Sequence, residues 1–279
     1  MLGPASPRVF MDRMMAKRIV LCADDYGLSP GVSLGIRELL ERQRLSATSC
    51  IVVFPEFADD GPLLKPYLDR VDIGLHFTLT GDRSLAAVAL EAHLRPPPLA
   101  RMLAALEEQV AKFAGTLGRL PDYIDGHQHV HVLPVVREAV VRVASRIGAY
   151  VRTTIEPIDA AMWRRPARLE SAYLACASRP LASLARQWGV SANRGFRGVR
   201  TFREAGPYRN LFRKMLPGAD NACIVMCHPG HGDVALTARD PVVQARADEW
   251  RYFSGPDFPA DLQDSGLVLG RLREGIRQA

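Results

Sequence analysis

Apolar residues along this chain fall in short runs, each followed by polar or glycine residues and then by a stretch with helical spacing. The first run is Arg18 to Ala23 (RIVLCA), ending abruptly at Asp24-Asp25-Tyr26-Gly27. Ser29-Pro30 follows as an N-cap with proline at the first helical position, and VSLGIRELLERQ continues as a helix. Further runs at 46–54 (SATSCIVVF) and 71–79 (VDIGLHFTL) predict a second and a third strand. Leucines at helical spacing predict an amphipathic helix over 98–117. YIDGHQHVHVL at 123–133 predicts a fourth strand, with a helix beginning at Pro134. AYVRTTI (149–155) and CIVMC (223–227) predict two more strands, while the stretch from 156 to about 210 mixes helix and loop signals.

Strands alternating with helices imply parallel βαβ units. Six such strands in 279 residues predict one α/β domain, an irregular (β/α) barrel rather than a small open sheet. Polar residues able to do chemistry sit at the C-terminal ends of the apolar runs: Asp24-Asp25, His76, His127, Arg152 and His228. That is the end on which a (β/α) barrel builds its active site.

Composition narrows the partners. Hydrophobic residues make up 48% and charged residues 24%, an ordinary globular mix that excludes disorder as the dominant state. No uncharged apolar run reaches the roughly 18 residues that span a bilayer. The formal charge is +6, but its arginines are dispersed, without a basic run interleaved with aromatics. Nucleic acid is therefore not expected as a partner, while an acidic lipid surface or an anionic substrate stays open. Five cysteines without a CxxC, several within apolar stretches, suit a reduced, cytoplasmic setting. Residues 1–17 lack the apolar segment of a signal peptide and read as a disordered leader; Met11, Met14 and Met15 are alternative starts. The barrel domain is then 18–279.

Each candidate residue has an ordinary reading beside a chemical one. Asp24 and Asp25 suit a turn, yet adjacent carboxylates at a barrel mouth repel, and a divalent cation on one would relieve that. His127, His129 and His131 at i, i+2 and i+4 would share one face of an extended segment. Either several serve a metal, or His127 alone does while His129 and His131 give supporting hydrogen bonds or fill the barrel. His76 alone reads as a core histidine, but one carboxylate and two imidazoles make a hydrolytic metal site with open positions. His228, before Pro229-Gly230, is a loop residue or a general acid. Arg152 binds an anionic group or pairs with an aspartate.

As a set, these motifs resemble the YdjC-like carbohydrate deacetylase family, which includes chitooligosaccharide deacetylases and a branch associated with hopanoid lipid biosynthesis. The matching segments are Ala23 to Ser29 (ADDYGLS), Ser46 to Val53, Gly74 to Thr80 (GLHFTLT), Asp125 to His131, Val151-Arg152 and Met226 to Gly230 (MCHPG). They cover residues 18 to about 235 in family order. Tyr26 stands where the family more often has phenylalanine, and 156–222 carries no nameable match. The resemblance implies a barrel related to polysaccharide deacetylases. It implies that Asp25, His76 and His127 hold one divalent metal, Mg²⁺ or Zn²⁺, with Asp24 as general base and His228 as general acid. Arg152, Asp125, His129 and His131 would bind substrate or support the ligands. The implied reaction is hydrolysis of the acetamido group of an N-acetylated amino sugar, free or lipid-linked, and a homodimer is a family-level expectation. The alternatives are a metal-dependent hydrolase of another bond, such as a phosphoester, and a non-catalytic sugar-binding barrel.

Overall fold

The computed structural model describes residues 17–80, 83–204 and 206–273. Most of the expected leader therefore lies outside the described residues; Lys17 already belongs to the first strand. Among the described residues eight strands form one parallel sheet: β1 (Lys17–Tyr26), β2 (Ala47–Cys50), β3 (Asp72–Phe77), β4 (Tyr123–Gly126), β5 (Tyr150–Val151), β6 (Gly195–Arg197), β7 (Cys223–Cys227) and β8 (Leu267–Leu269). Their order is β5-β4-β3-β2-β1-β7-β6, with β8 added to the start of β1. A parallel bridge between Val151 and Ala192 links the region before β6 to the β5 edge. The sheet thus curls into an irregular (β/α) barrel, as the alternating pattern predicts.

The main helices are α1 (Pro30–Glu41), α2 (Leu99–Leu117), α3 (Val136–Ile147), α4 (Arg168–Ala177), α5 (Arg179–Gln187), α6 (Tyr208–Met215), α7 (Gln244–Ser254) and α8 (Asp257–Asp264). Ser29 caps α1 by accepting from the Val32 N–H, with Pro30 in the first turn. Among the described residues no helix is long and apolar enough to cross a membrane.

Alternation along β1 divides the core in two. Ile19, Leu21 and Ala23 face the helices in the larger cluster, while Val20 and Cys22 face inward with Tyr123, Tyr150, Phe196, Ile224, Met226 and Leu272. Inside, the rings of Tyr123 and Tyr150 stack at 4.9 Å. Gly74 makes room for them, because a Cβ there would stand 2.4 Å from Tyr123.

The far end of the barrel is closed by residues 271–273. Leu272 is fully buried, and its N–H donates to Asp72 Oδ2 at 2.9 Å. Arg271 Nε donates to Asp72 Oδ1 at 2.9 Å, and Arg273 pairs with Asp122 at 3.0 Å. Replacing Leu272 with alanine opens a cavity that the rigid strands cannot refill. Urea unfolding of Leu272→Ala is expected to show a loss of about 2–5 kcal/mol; a loss near zero would mean that the plug does not support the barrel.

Candidate metal centre

β1 pairs with β2 through Ala23↔Thr48 and Tyr26↔Cys50, so one extra residue is accommodated on β1 between those pairs. This bulge contains the two aspartates. Asp24 follows Val20 and Cys22 on the inward face, and strict alternation would send Asp25 out towards the helices. Asp25 instead has φ 73°, a left-handed conformation that Asp tolerates better than most residues, and its carboxylate joins Asp24 at the barrel mouth. A bulge beside a site commonly re-aims a side chain in this way.

Asp24 is buried and gripped by Arg152, whose Nη1 and Nη2 donate to its two oxygens at 2.7 and 2.8 Å. Arg152 Nη1 also lies 3.0 Å from Asp125 Oδ2, which accepts from Ser49 at 2.5 Å. Burial by itself pushes the Asp24 carboxyl up, but Arg152 and then His76 outweigh it and hold it below the usual range.

Asp25 divides its oxygens between two tasks. Oδ1 faces His127 Nδ1 at 3.0 Å and His76 Nε2 at 3.4 Å. Oδ2 accepts from Arg246 Nη2 at 2.6 Å. Against its burial, Arg246 and His127 hold the Asp25 carboxyl well below the ordinary value. His76 Nδ1 donates to Asp125 Oδ1 at 2.6 Å, which aims Nε2 at Asp25. Burial pulls the His76 ring down, yet Asp125 and Asp24 raise it to about 10.

The potential ligand atoms of Asp25, His76 and His127 lie within 4.8 Å of one another. One carboxylate oxygen and two imidazole nitrogens, one of them aimed by a carboxylate behind it, form a donor set that fits a divalent cation. Cys22, Asp24 and Asp125 converge equally closely, but there the Arg152 guanidinium already provides the positive charge.

The fourth strand corrects one expectation. It ends at Gly126, and His127 to Val132 form a 3₁₀ segment with positive φ at Gln128 and His129. His127, His129 and His131 therefore do not share one face of an extended chain. Neither His129 nor His131 hydrogen-bonds Asp25, His76 or His127; that supporting contact comes from Asp125. The His129 ring packs at 6.1 Å from His131 and edge-on to Phe196 at 5.8 Å. His228 follows β7 as expected, its ring edge-on to Phe202 at 5.2 Å and its Nδ1 buried without a partner. Burial lowers its pKa from the ordinary histidine value.

Sequence reasoning missed Arg246 and Glu249 of α7. Glu249 accepts from the His228 backbone N–H at 2.5 Å. Their only local signal is an Arg-x-x-Glu spacing, which on most helices marks a solvated face.

A family model described as YdjC-like protein matches residues 18–264. The chain belongs to the YdjC-like family. Its relatives include a carbohydrate deacetylase of Geobacillus stearothermophilus, 26% identical over 276 residues and covering 93% of this chain and 98% of that one. A chitooligosaccharide deacetylase of Serratia marcescens is 26% identical over 274 residues, covering 93% and 100%. Among solved structures, an Enterococcus faecalis protein assigned to cellobiose-phosphate cleavage has a TM-score of 0.71 at 17% identity, covering 93% of this chain and 98% of that one. A family 4 acetyl xylan esterase from Clostridium thermocellum, in complex with a cobalt ion, has a TM-score of 0.53 at 10% identity, covering 94% and 91%. At these identities the structural likeness establishes a shared barrel fold.

Within this YdjC-like barrel, His131 is buried and, by that burial first and by Arg152 and His76 next, its pKa is lowered to about 3. An unfolded histidine titrates near 6.5, so the unfolded chain takes up the proton first. The stability that neutral His131 supports is full above about pH 6.5 and is lost as pH falls towards 3. In His131→Phe the pH dependence of unfolding free energy over this window should be shallower than in the parent by about 1.4 kcal/mol per unit. Equal slopes would contradict the burial of a neutral ring.

Proposed function

We propose that the chain is a metal-dependent carbohydrate N-deacetylase, hydrolysing the acetamido group of an N-acetylated amino sugar to acetate and the free amine. The observation that carries this reading is the Asp25–His76–His127 donor triad beside a second carboxylate, Asp24, held at both oxygens by Arg152. The names of the curated relatives, carbohydrate and chitooligosaccharide deacetylases spanning nearly the whole chain, supply the substrate class.

Asp25, His76 and His127 would hold the cation, whose contribution when bound is to acidify water and polarise the acetyl carbonyl. Two imidazoles favour zinc over magnesium by ligand softness. Asp24, kept ionised by Arg152, accepts a proton from the attacking water. The water oxygen bonds to the acetyl carbon, the C–N bond breaks, and the amine nitrogen needs a proton to leave. His228 supplies it from beside Asp24, because Ala23 of β1 pairs in register with Cys227 of β7 and the next residue of each strand reaches the same rim.

Two-metal phosphoester chemistry finds less support. The neighbouring carboxylates, Asp24 and Asp125, are spanned by Arg152 rather than open to a second cation.

Acetate release from N-acetylglucosamine oligomers and N-acetylglucosaminyl lipids should be abolished by chelator and restored by zinc or magnesium; no release from any substrate would reject the reading. Asp24→Asn should retain the metal and lose about 10²–10⁴-fold in turnover. Asp25→Asn should lose metal affinity, with activity partly recovered by excess cation. Metal content and turnover of the two variants decide the matter, and the opposite pattern would exchange the two roles.

A further inference from the structure

Helix α7 reaches the site from outside the barrel with two charged side chains. Arg246 and Glu249 are three residues apart and so lie on one helix face, and both are buried, at 2% and 0% exposure. Arg246 Nη2 donates to Asp25 Oδ2 and to Asp240 Oδ2, each at 2.6 Å. Its own carbonyl accepts from the Gly230 N–H at 3.2 Å, tying the loop after β7 to the helix. Glu249 Oε2 accepts from the His228 backbone N–H at 2.5 Å, and Oε1 accepts from Arg200 Nη1 at 2.9 Å.

Burying two charges on one helical turn is a poor way to gain stability, since desolvation offsets most of the attraction. Both arms end on residues of the site. With Oδ2 of Asp25 taken by Arg246, only Oδ1 is presented to His76 and His127. Asp240 provides the second negative charge, so the Asp25–Arg246–Asp240 group keeps a net charge of −1 and still attracts a cation. Glu249 holds the backbone from which the His228 ring projects, while that ring keeps an unpartnered Nδ1. A carboxylate on the ring itself would bind its proton more firmly; a carboxylate on the backbone fixes position without that direct hydrogen bond.

We infer that Arg246 and Glu249 are positioning residues, Arg246 selecting the oxygen of Asp25 that faces the cation site and Glu249 setting where His228 stands. The inference rests on the deacetylase reading for the roles of Asp25 and His228. It requires the two arms to fail differently.

Zinc chloride titration by calorimetry, steady-state acetate release and the His228 ring resonance in ¹H–¹³C spectra read the arms separately. Arg246→Met should lower zinc affinity about 10–100-fold, with turnover largely recovered at saturating zinc and part of the affinity restored in Arg246→Lys. Glu249→Ala should lower kcat about 100-fold with KM and zinc affinity unchanged. Glu249→Gln should regain part of that kcat, because its amide oxygen still accepts from the His228 N–H, and should shift the His228 resonance. If Met or Ala prevents folding, the Lys and Gln variants carry the same test. Parent-like zinc affinity in the Arg246 variants, or zinc affinity falling in step with turnover in the Glu249 variants, would overturn the inference. Should the parent release no acetate at all, the deacetylase reading fails. Zinc affinity and the His228 resonance then still decide: reduced affinity in the Arg246 variants and a shifted resonance in Glu249→Gln support the two arms, and no change in either rejects them.

Discussion

A strand turns successive side chains to opposite faces, and the whole site depends on one interruption of that rule. β1 must bury Ile19, Leu21 and Ala23 against the helices and Val20 and Cys22 inside the barrel. Under that period Asp24 points in and Asp25 points into the apolar layer, where an ionised carboxylate is prohibitively costly. The extra residue between Ala23 and Tyr26, with Asp25 at φ 73°, resolves the conflict. Both carboxylates then reach one mouth while the strand keeps its register with β7 up to Ala23↔Cys227. Every other feature of the site follows from having two neighbouring acids there.

The first consequence is electrostatic. Asp24, Asp25 and Asp125 are all buried, and buried charges must be paired and hydrogen-bonded. Two guanidiniums do this, Arg152 between Asp24 and Asp125 and Arg246 between Asp25 and Asp240. Each is planar with several donors in a fixed fork, so one side chain serves two carboxylates, which a lysine ammonium does less well. The two pairs differ in what they leave free. Arg152 takes both oxygens of Asp24, whereas Arg246 takes one oxygen of Asp25 and leaves the other to the histidines. Identical acids one residue apart thereby acquire different environments, the condition for giving them different roles.

The second consequence concerns His76. Its Nδ1 is committed to Asp125, which fixes the ring and turns Nε2 towards Asp25. Ser49 on β2 and Arg152 after β5 hold Asp125 in turn, so four neighbouring strands contribute to the aim of one imidazole. Parallel strands in a barrel bring such contributions together because their C-terminal ends converge on one rim.

Local physics made the strands and principal helices legible in the sequence. Apolar runs mark β1, β3 and β7, leucine spacing marks α2, and Ser29-Pro30 marks the start of α1. The clustering of Asp24, Asp25, His76, His127, Arg152 and His228 at one end of the barrel was legible too, because each sits where an apolar run stops. β6 and β8 escaped, being only three residues long and defined by their pairing. The path after Gly126 escaped because HQHVH alternates like a strand, while the chain in fact turns left-handed at Gln128 and His129. Which oxygen of Asp25 is available, that Asp125 rather than His129 or His131 supports His76, and that a helix over 200 residues from Asp25 holds it and His228 were settled only by the tertiary structure. Sequence periodicity reports which face a residue must bury; hydrogen bonds between charges distant in the chain depend on how those faces close against each other.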